Sequence, residues 1–495
     1  MAEIALDKAT EFIIQLQKVK PFVAGTQLLA ELKVLNQQNL MPSMRMQLLE
    51  IYRMPIIQAS DELINIESLA ILPLSAETER NINLAENLWD EFAQNYRFAF
   101  IDLRKKLIRF GDEMLTILTI QRALDALGKQ AMICYFKYQH CPQSLWSHLH
   151  QLYFAAIELN VTGAKVRDLA ERESPTIDQT YKKILVTELS VSLNMIPDMI
   201  VRLISFLEWH TEYILIGDVN SADSPDGMFL VKLASDEPPI SYNRITTLPN
   251  LKTDVALDVR PLVQLIQQYL IALGRNAIPK INGIREGANL IQLKNLFESL
   301  LKYCNLPPKR LYHRIPKVES VFLAVGLAEI HKTLTAEMQS KMSHKHDFSQ
   351  AKWQMLNISM GGMLLRSVIP NRPPTALDKV GVGELLSIKS EQGDWVIGVC
   401  RWAANKASLD LGIELIASSA EPVKIKSIRT PKIELGLLLP PLTHVKQEAT
   451  LLTTSGFYTV TTLMELEMLD KKMPIITDNL LERIDGFDRF QFNIL

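Results

Sequence analysis

Two short constellations in this chain have residue types and spacing suited to chemistry. Arg310 and Arg314 stand four apart in Arg310-Leu311-Tyr312-His313-Arg314, just ahead of a strand-like run. Further on, Asn357-Ile358-Ser359-Met360-Gly361-Gly362 closes one expected strand (353–358) in a tight turn and opens another (363–368). Asn357 and Ser359 offer short hydrogen-bonding side chains at a strand end, and the paired glycines permit positive φ and the close approach of a ligand. Each constellation alone has a plain structural reading. The turn is then a polar β-turn, and the arginines belong to a linker that contacts acidic groups of its own chain. Occurring in this order and in a strand context, they form a pattern much rarer than either alone.

The elements that must hold these residues are β. Runs at 318–325, 353–358, 363–368, 384–390, 394–402 and 409–416, separated by glycine-containing turns, read as short strands of a small antiparallel barrel. A polar, helix-like insertion near 326–352, with Lys341, His344, Lys345, His346 and Asp347, is expected to be a mobile excursion. The tail from residue 421 is also β-like (433–439, 450–454, 458–466, 490–495). It either extends the barrel or forms a second small β domain.

Set in these strands, Arg310-x-x-x-Arg314 followed by Asn357-x-Ser359-x-x-Gly362 resembles a PilZ domain. Ile315-Pro316 directly after the second arginine and Val382-Gly383-Glu384-Leu385-Leu386 in a middle strand support the resemblance. So do Gly398-Val399-Cys400-Arg401-Trp402 and Leu411-Gly412-Ile413-Glu414, which look like the last two strands of that family. The similarity spans about 309–417. It implies binding of cyclic di-GMP, a dianion carrying two guanines, which calls for cations and for donors or flat surfaces. Arginine supplies both needs: its planar fork bridges guanine O6 and N7 or two phosphate oxygens, and its face stacks on a purine.

By the resemblance, Arg310 and Arg314 are the phosphate and guanine clamp, with Lys309 and Lys317 adding charge. Asn357 and Ser359 would meet the guanine edge, and Gly362 would let the backbone turn beneath it. The family often carries Asp at the first of these positions. Asn keeps an acceptor but loses a charge-assisted contact, at a cost on the order of 1 kcal/mol. The 42 residues of 315–356 exceed what one strand and a turn need. An insertion that covered the ligand face would gate or abolish binding.

The rest of the chain is largely helical up to residue 305. Leu28, Leu29, Leu32 and Leu35 recur at helical spacing, with breaks at Pro21, Pro42, Pro73 and Pro142 and a helix start at Ser75. Two β-like runs at 213–219 and 228–233, joined by a turn-rich loop, read as a small hairpin near 213–234. Helices resume at 259–273 and 286–303, and Pro307-Pro308 marks a boundary. The expected class is multidomain α+β. A helical domain fills 1–305, a PilZ-like barrel with its linker and insertion fills 306–417, and a β-rich extension fills 418–495.

Trp146, Leu149 and Tyr153 match part of a tetratricopeptide skeleton, but once only, which favours core packing. Cys134, His140, Cys141, His148 and His150 cluster in sequence with spacings that fit no zinc pattern, and no metal site is expected. The four cysteines form no C-x-x-C pair and read as reduced structural thiols. A net charge of -2, with 22% charged residues, gives no bulk attraction to nucleic acid or anionic membranes. No run approaches the roughly 20 apolar residues of a membrane span. Residues 1–16 lack a signal-peptide pattern, and the expected location is cytoplasmic.

No catalytic motif or cofactor-binding loop is present. The expectation is a non-catalytic cyclic di-GMP receptor without cofactor. In it, nucleotide capture at the linker changes domain arrangement and the binding of a protein partner by the helical domain. The competing expectation is an interaction scaffold whose barrel binds no nucleotide.

Overall fold

The computed structural model describes residues 2–106, 113–166, 175–191, 193–219, 225–246, 248–275, 279–284, 289–305, 312–339, 353–368, 379–427, 433–441, 448–468 and 471–495. The chain divides into two compact units. One comprises Met1–Leu69, Leu74–Ser192 and Pro197–Pro308, and the other Ala70–Pro73, Leu193–Ile196 and Lys309–Leu495.

The first unit begins with helices α1 (Ala2–Leu16), α2 (Pro21–Gln37), α3 (Pro42–Leu63), α4 (Ile66–Leu69), α5 (Ala76–Lys106), α6 (Glu113–Phe136), α7 (Leu145–Glu158), α8 (Ile177–Ser190) and α9 (Pro197–His210). Proline opens α2 and α3, where its missing N–H costs nothing. The leucine stripe of α2 is the buried face: Leu28, Leu32 and Leu35 are in the core. Arg45 of α3 then closes the end of α2 by donating to Leu35 O at 2.8 Å and Gln38 O at 2.7 Å. Trp146, Leu149 and Tyr153 are buried side chains of α7, and His150 beside them bonds Tyr181 and the Glu237 carbonyl.

A small sheet follows, made of β1 (Leu215–Asp218), β2 (Met228–Lys232), β3 (Ile240–Ser241) and β4 (Asp254–Asp258), and α10 (Arg260–Gly274) and α11 (Leu290–Cys304) complete the unit. The hairpin expected from the first two runs does not form. The strand order is β1-β4-β2-β3, so β4 lies between the two. Two features explain this. The turn-rich connection is too long to impose a hairpin register, and β2 is an almost wholly buried run that takes a partner on each edge.

In the second unit, β5 (Ile315–Val325), α12 (Leu327–Gln339), β6 (Trp353–Ser359), β7 (Gly362–Ser367), β8 (Leu385–Ser390), β9 (Val396–Asn405) and β10 (Leu409–Ala417) build a closed barrel ordered β10-β7-β6-β5-β8-β9. The tail is a second closed barrel rather than an extension of the first. It consists of β11 (Glu421–Ser427), β12 (Ile433–Leu439), β13 (Thr450–Thr453), β14 (Leu463–Glu467), β15 (Lys472–Ile484) and β16 (Phe487–Ile494), in the order β11-β12-β13-β16-β15-β14. The segment Ala70–Pro73 joins this unit through Leu72, which exchanges backbone bonds of 3.0 and 2.8 Å with Val380.

The insertion expected to be mobile begins as α12; residues 340–352 lie outside the described ones. Leu327, Ile330 and Leu334 recur every three or four residues and enter a core shared with Leu385 and Ile397 of the first barrel and Leu437 and Phe487 of the second. Each such side chain adds roughly 1.5–3 kcal/mol by burial. Glu337 receives bonds from both Lys389 and Trp395, and His331 Nε2 donates to Val423 O of the second barrel at 3.2 Å. The helix therefore fastens the two barrels together. No helix among the described residues is long and apolar enough to cross a membrane.

Candidate functional site

The register of the first barrel decides which side chains share a face. Leu411 lies opposite Leu365 and Ala403, and Leu365 opposite Met355; all four are buried and line the interior. One residue along, Gly412 lies opposite Leu364 and Trp402, Leu364 opposite Asn357, and Asn357 opposite Pro316. Because directly opposed residues point the same way and successive ones alternate, these five form a row on the outer face. It runs Pro316, Asn357, Leu364, Gly412, Trp402 across five strands.

The floor of this row is shaped by glycine. A methyl group at Gly412 would come within 1.8 Å of Trp402 Nε1, so the indole lies across the Gly412 backbone. In the row the indole over Gly412 is followed by Leu364, and Leu364 by Asn357. Asn357 Oδ1 is buried and has no hydrogen-bond partner among the described residues. A buried acceptor in this condition costs about 1–3 kcal/mol until a donor reaches it.

The turn itself is fixed by backbone contacts. Ser359 pairs with Gly362 across the two-residue loop Met360–Gly361, and Ser359 Oγ donates to Gly362 O at 3.1 Å. Gly361 O accepts from Leu415 N at 3.1 Å. Neither glycine takes a positive φ, unlike Gly326 and Gly383 of the same unit. Gly362 is required for a different reason, since a Cβ there would meet Ile413 O at 2.2 Å. Close approach of β10, and not left-handed backbone, is what this position demands.

The cations of the face are distributed unevenly. Arg366 is held by Asp410 through two bonds of 2.6 and 2.8 Å, and Lys317 is paired with Glu319 at 2.6 Å. Arg314 is half-buried immediately before β5, one residue from the strand that carries Pro316. Arg310 and Lys309 lie outside the described residues, so of the expected clamp only Arg314 has a described place. The structure brings Asn357, Ser359 and Gly362 together at one hairpin, with Pro316, two residues beyond Arg314, opposite Asn357. Cys400 sits in the barrel, where burial pushes its thiol up to about 12, beyond the range of a reactive thiolate.

Three models of successive domains match the chain. "Cyclic-di-GMP receptor FimW, N-terminal domain" covers residues 7–221, "Cyclic-di-GMP receptor FimW, middle PilZ domain" covers 332–422, and "FimW C-terminal beta-barrel domain" covers 424–495. The middle barrel is a PilZ domain. Its match begins inside α12, so β5 and the arginine segment precede it. The chain is similar to a Pseudomonas aeruginosa protein named "Cyclic-di-GMP receptor FimW", 24% identical over 511 aligned positions that cover 89% of this chain and 82% of that one. No solved structure matches significantly.

Two residues of the PilZ face were not among the expected site residues. Trp402 belongs to the strand Gly398-Val399-Cys400-Arg401-Trp402, but only the pairing with Gly412 turns it toward the Asn357 row. A bulge between Gly412 and Ile413 sets that pairing, and bulges leave no reliable mark in a single sequence. Leu364 follows from simple alternation after Gly362, once the strand boundary is known.

Proposed function

We propose that the chain is a non-catalytic receptor for cyclic di-GMP, which it takes on the outer face of the PilZ barrel. The observation that carries this reading is the row from Asn357 to Trp402. It combines an unsatisfied buried acceptor, an aliphatic floor and a half-buried indole within a width of two to three strand spacings, roughly 10–15 Å. Guanine fits that description. It offers N–H donors to Asn357 Oδ1 and a π face to Trp402, where stacking is worth about 1–3 kcal/mol per base. Arg314, with Arg310 and Lys309 ahead of it in the sequence, supplies charge for the phosphates.

Binding at low micromolar ligand needs about 8 kcal/mol, a sum within reach of one or two arginine clamps plus base stacking. Domain similarity over the chain and the receptor name of the P. aeruginosa relative support the same reading.

Ordering of the arginine segment around the nucleotide then changes the arrangement of the two units and the binding of a protein partner by the helical unit. Calorimetry on the full chain tests the core of this reading. Heat with a micromolar midpoint is expected for cyclic di-GMP, none for GMP at the same concentration, and a strongly weakened response for Arg314→Ala. Absence of heat from the wild-type chain overturns it, and the interaction-scaffold reading then takes its place.

A further inference from the structure

Tyr312 lies within the arginine motif, two residues before Arg314, and its ring rests on the turn of the second motif. A methyl group at Gly361 would come within 2.7 Å of Tyr312 Cδ2 and 2.9 Å of Cε2. The ring edge therefore fills the space that this glycine leaves open, while 44% of the residue stays exposed. The surface it meets is rigid. Gly361 O is bonded to Leu415 N, Ser359 Oγ is bonded to Gly362 O, and Gly362 abuts Ile413 O.

The chain is fixed again just beyond the motif, where Ile315 pairs with Ile358 and Pro316 with Asn357. Arg314 thus lies between two anchors, the Tyr312 ring on Gly361 and the start of β5 on β6. Holding a long cationic side chain's backbone in place before the ligand arrives removes part of the ordering cost of binding.

We propose that Tyr312 is a positioning residue for nucleotide capture: its ring, docked on Gly361, holds the backbone of Arg314 against the barrel face. This inference rests on the cyclic di-GMP reading above. The ring carries the effect and the hydroxyl does not, because the contact is made through Cδ2 and Cε2. The requirement for glycine at 361 is the other half of the same contact, since any side chain there must displace the ring.

The test uses the full-length chain with Tyr312→Ala, Tyr312→Phe and Gly361→Ala, each titrated with cyclic di-GMP. In parallel, the rate of tryptic cleavage after Arg314 is followed without ligand. Tyr312→Ala and Gly361→Ala are expected to raise Kd about tenfold, equivalent to ~1.4 kcal/mol. Both should also be cleaved faster than wild type, whereas Tyr312→Phe should match wild type in both assays. Melting temperatures of all four chains should agree, which separates positioning from loss of fold. Normal affinity in Tyr312→Ala, or equal weakening in Tyr312→Phe, overturns the positioning role alone. A wild-type chain that binds no cyclic di-GMP overturns the nucleotide reading and this role with it, and the cleavage rates then report only whether the ring docks.

Discussion

The indole of Trp402 lies across Gly412, whose missing side chain is the only reason that it fits: a Cβ there would be 1.8 Å from Nε1 and 2.0 Å from Cε2. The aromatic surface of the PilZ face is thus produced by a pair of residues on neighbouring strands. Gly412→Ala should displace the indole and Trp402→Ala should remove it. Both should weaken cyclic di-GMP binding by about 10-fold, the lower end of base-stacking energies near 1–3 kcal/mol. Tryptophan fluorescence that does not change on titration, with unaltered affinity in Trp402→Ala, would remove this residue from the site.

Ser359 is already occupied within its own turn, where its hydroxyl donates to Gly362 O at 3.1 Å. Ser359→Ala should therefore act first on the hairpin, costing about 1 kcal/mol. For a unit of this size that is a fall in Tm of roughly 2–4 °C, read by thermal circular dichroism. An unchanged Tm combined with lost affinity would mean that the hydroxyl serves the ligand alone.

His331 ties α12 to the second barrel as a neutral donor to Val423 O, with Thr335 Oγ1 at 3.5 Å on its other nitrogen and the Lys424 charge nearby. Burial, opposed in part by that hydrogen bond, lowers its pKa below the ordinary value of 6.5. A base with a depressed folded pKa contributes stability that is complete above the unfolded pKa and is lost as pH falls through it, because the unfolded chain binds the proton first. Between pH 7.5 and 5, Tm of the wild type should fall more steeply than that of His331→Gln. Parallel curves would show that protonation of this side chain does not load the inter-barrel contact.

Asp488 is fully buried in the second barrel and bonded by Arg483 at 2.6 and 2.7 Å and by Tyr458 N at 2.9 Å. Arg483→Met strands that carboxylate and should cost about 3 kcal/mol, measured by calorimetric unfolding. The double change Arg483→Met with Asp488→Leu should recover most of the loss, since it removes the uncompensated charge along with its partner. Equal destabilisation in single and double variants would contradict this account.

Much of the architecture was legible in the linear order of residue types. The leucine stripe of α2, the proline starts of α2 and α3 and the alternation through 353–368 are local patterns, and each needs only a few neighbouring residues to be read. The limits of β12, at Ile433–Leu439, coincide with the expected run because Lys432 precedes its apolar residues and Pro440-Pro441, which lack N–H donors, follow them. β4 lies in none of the expected runs, and β11 opens the tail expected to be β-like from residue 421 without falling in one of its named runs. They are short or heavily charged segments whose strand state comes from the partners on each side.

For the candidate site, Lys309, Arg310, Arg314, Asn357, Ser359 and Gly362 were singled out by two motifs in a fixed order and by their resemblance to a PilZ domain, both of which are legible in the linear sequence. What the described ones among them contact was decided by the tertiary structure. Gly361 and Gly362 turned out to accommodate the Tyr312 ring and the Ile413 carbonyl, with no positive φ involved. Trp402 joined Asn357 through a register set by a bulge, and α12 became the joint between two barrels because its apolar stripe found cores on both sides. Such relationships depend on which strands lie beside one another and in what register. Those are long-range choices settled by packing, and no local run of residues contains them.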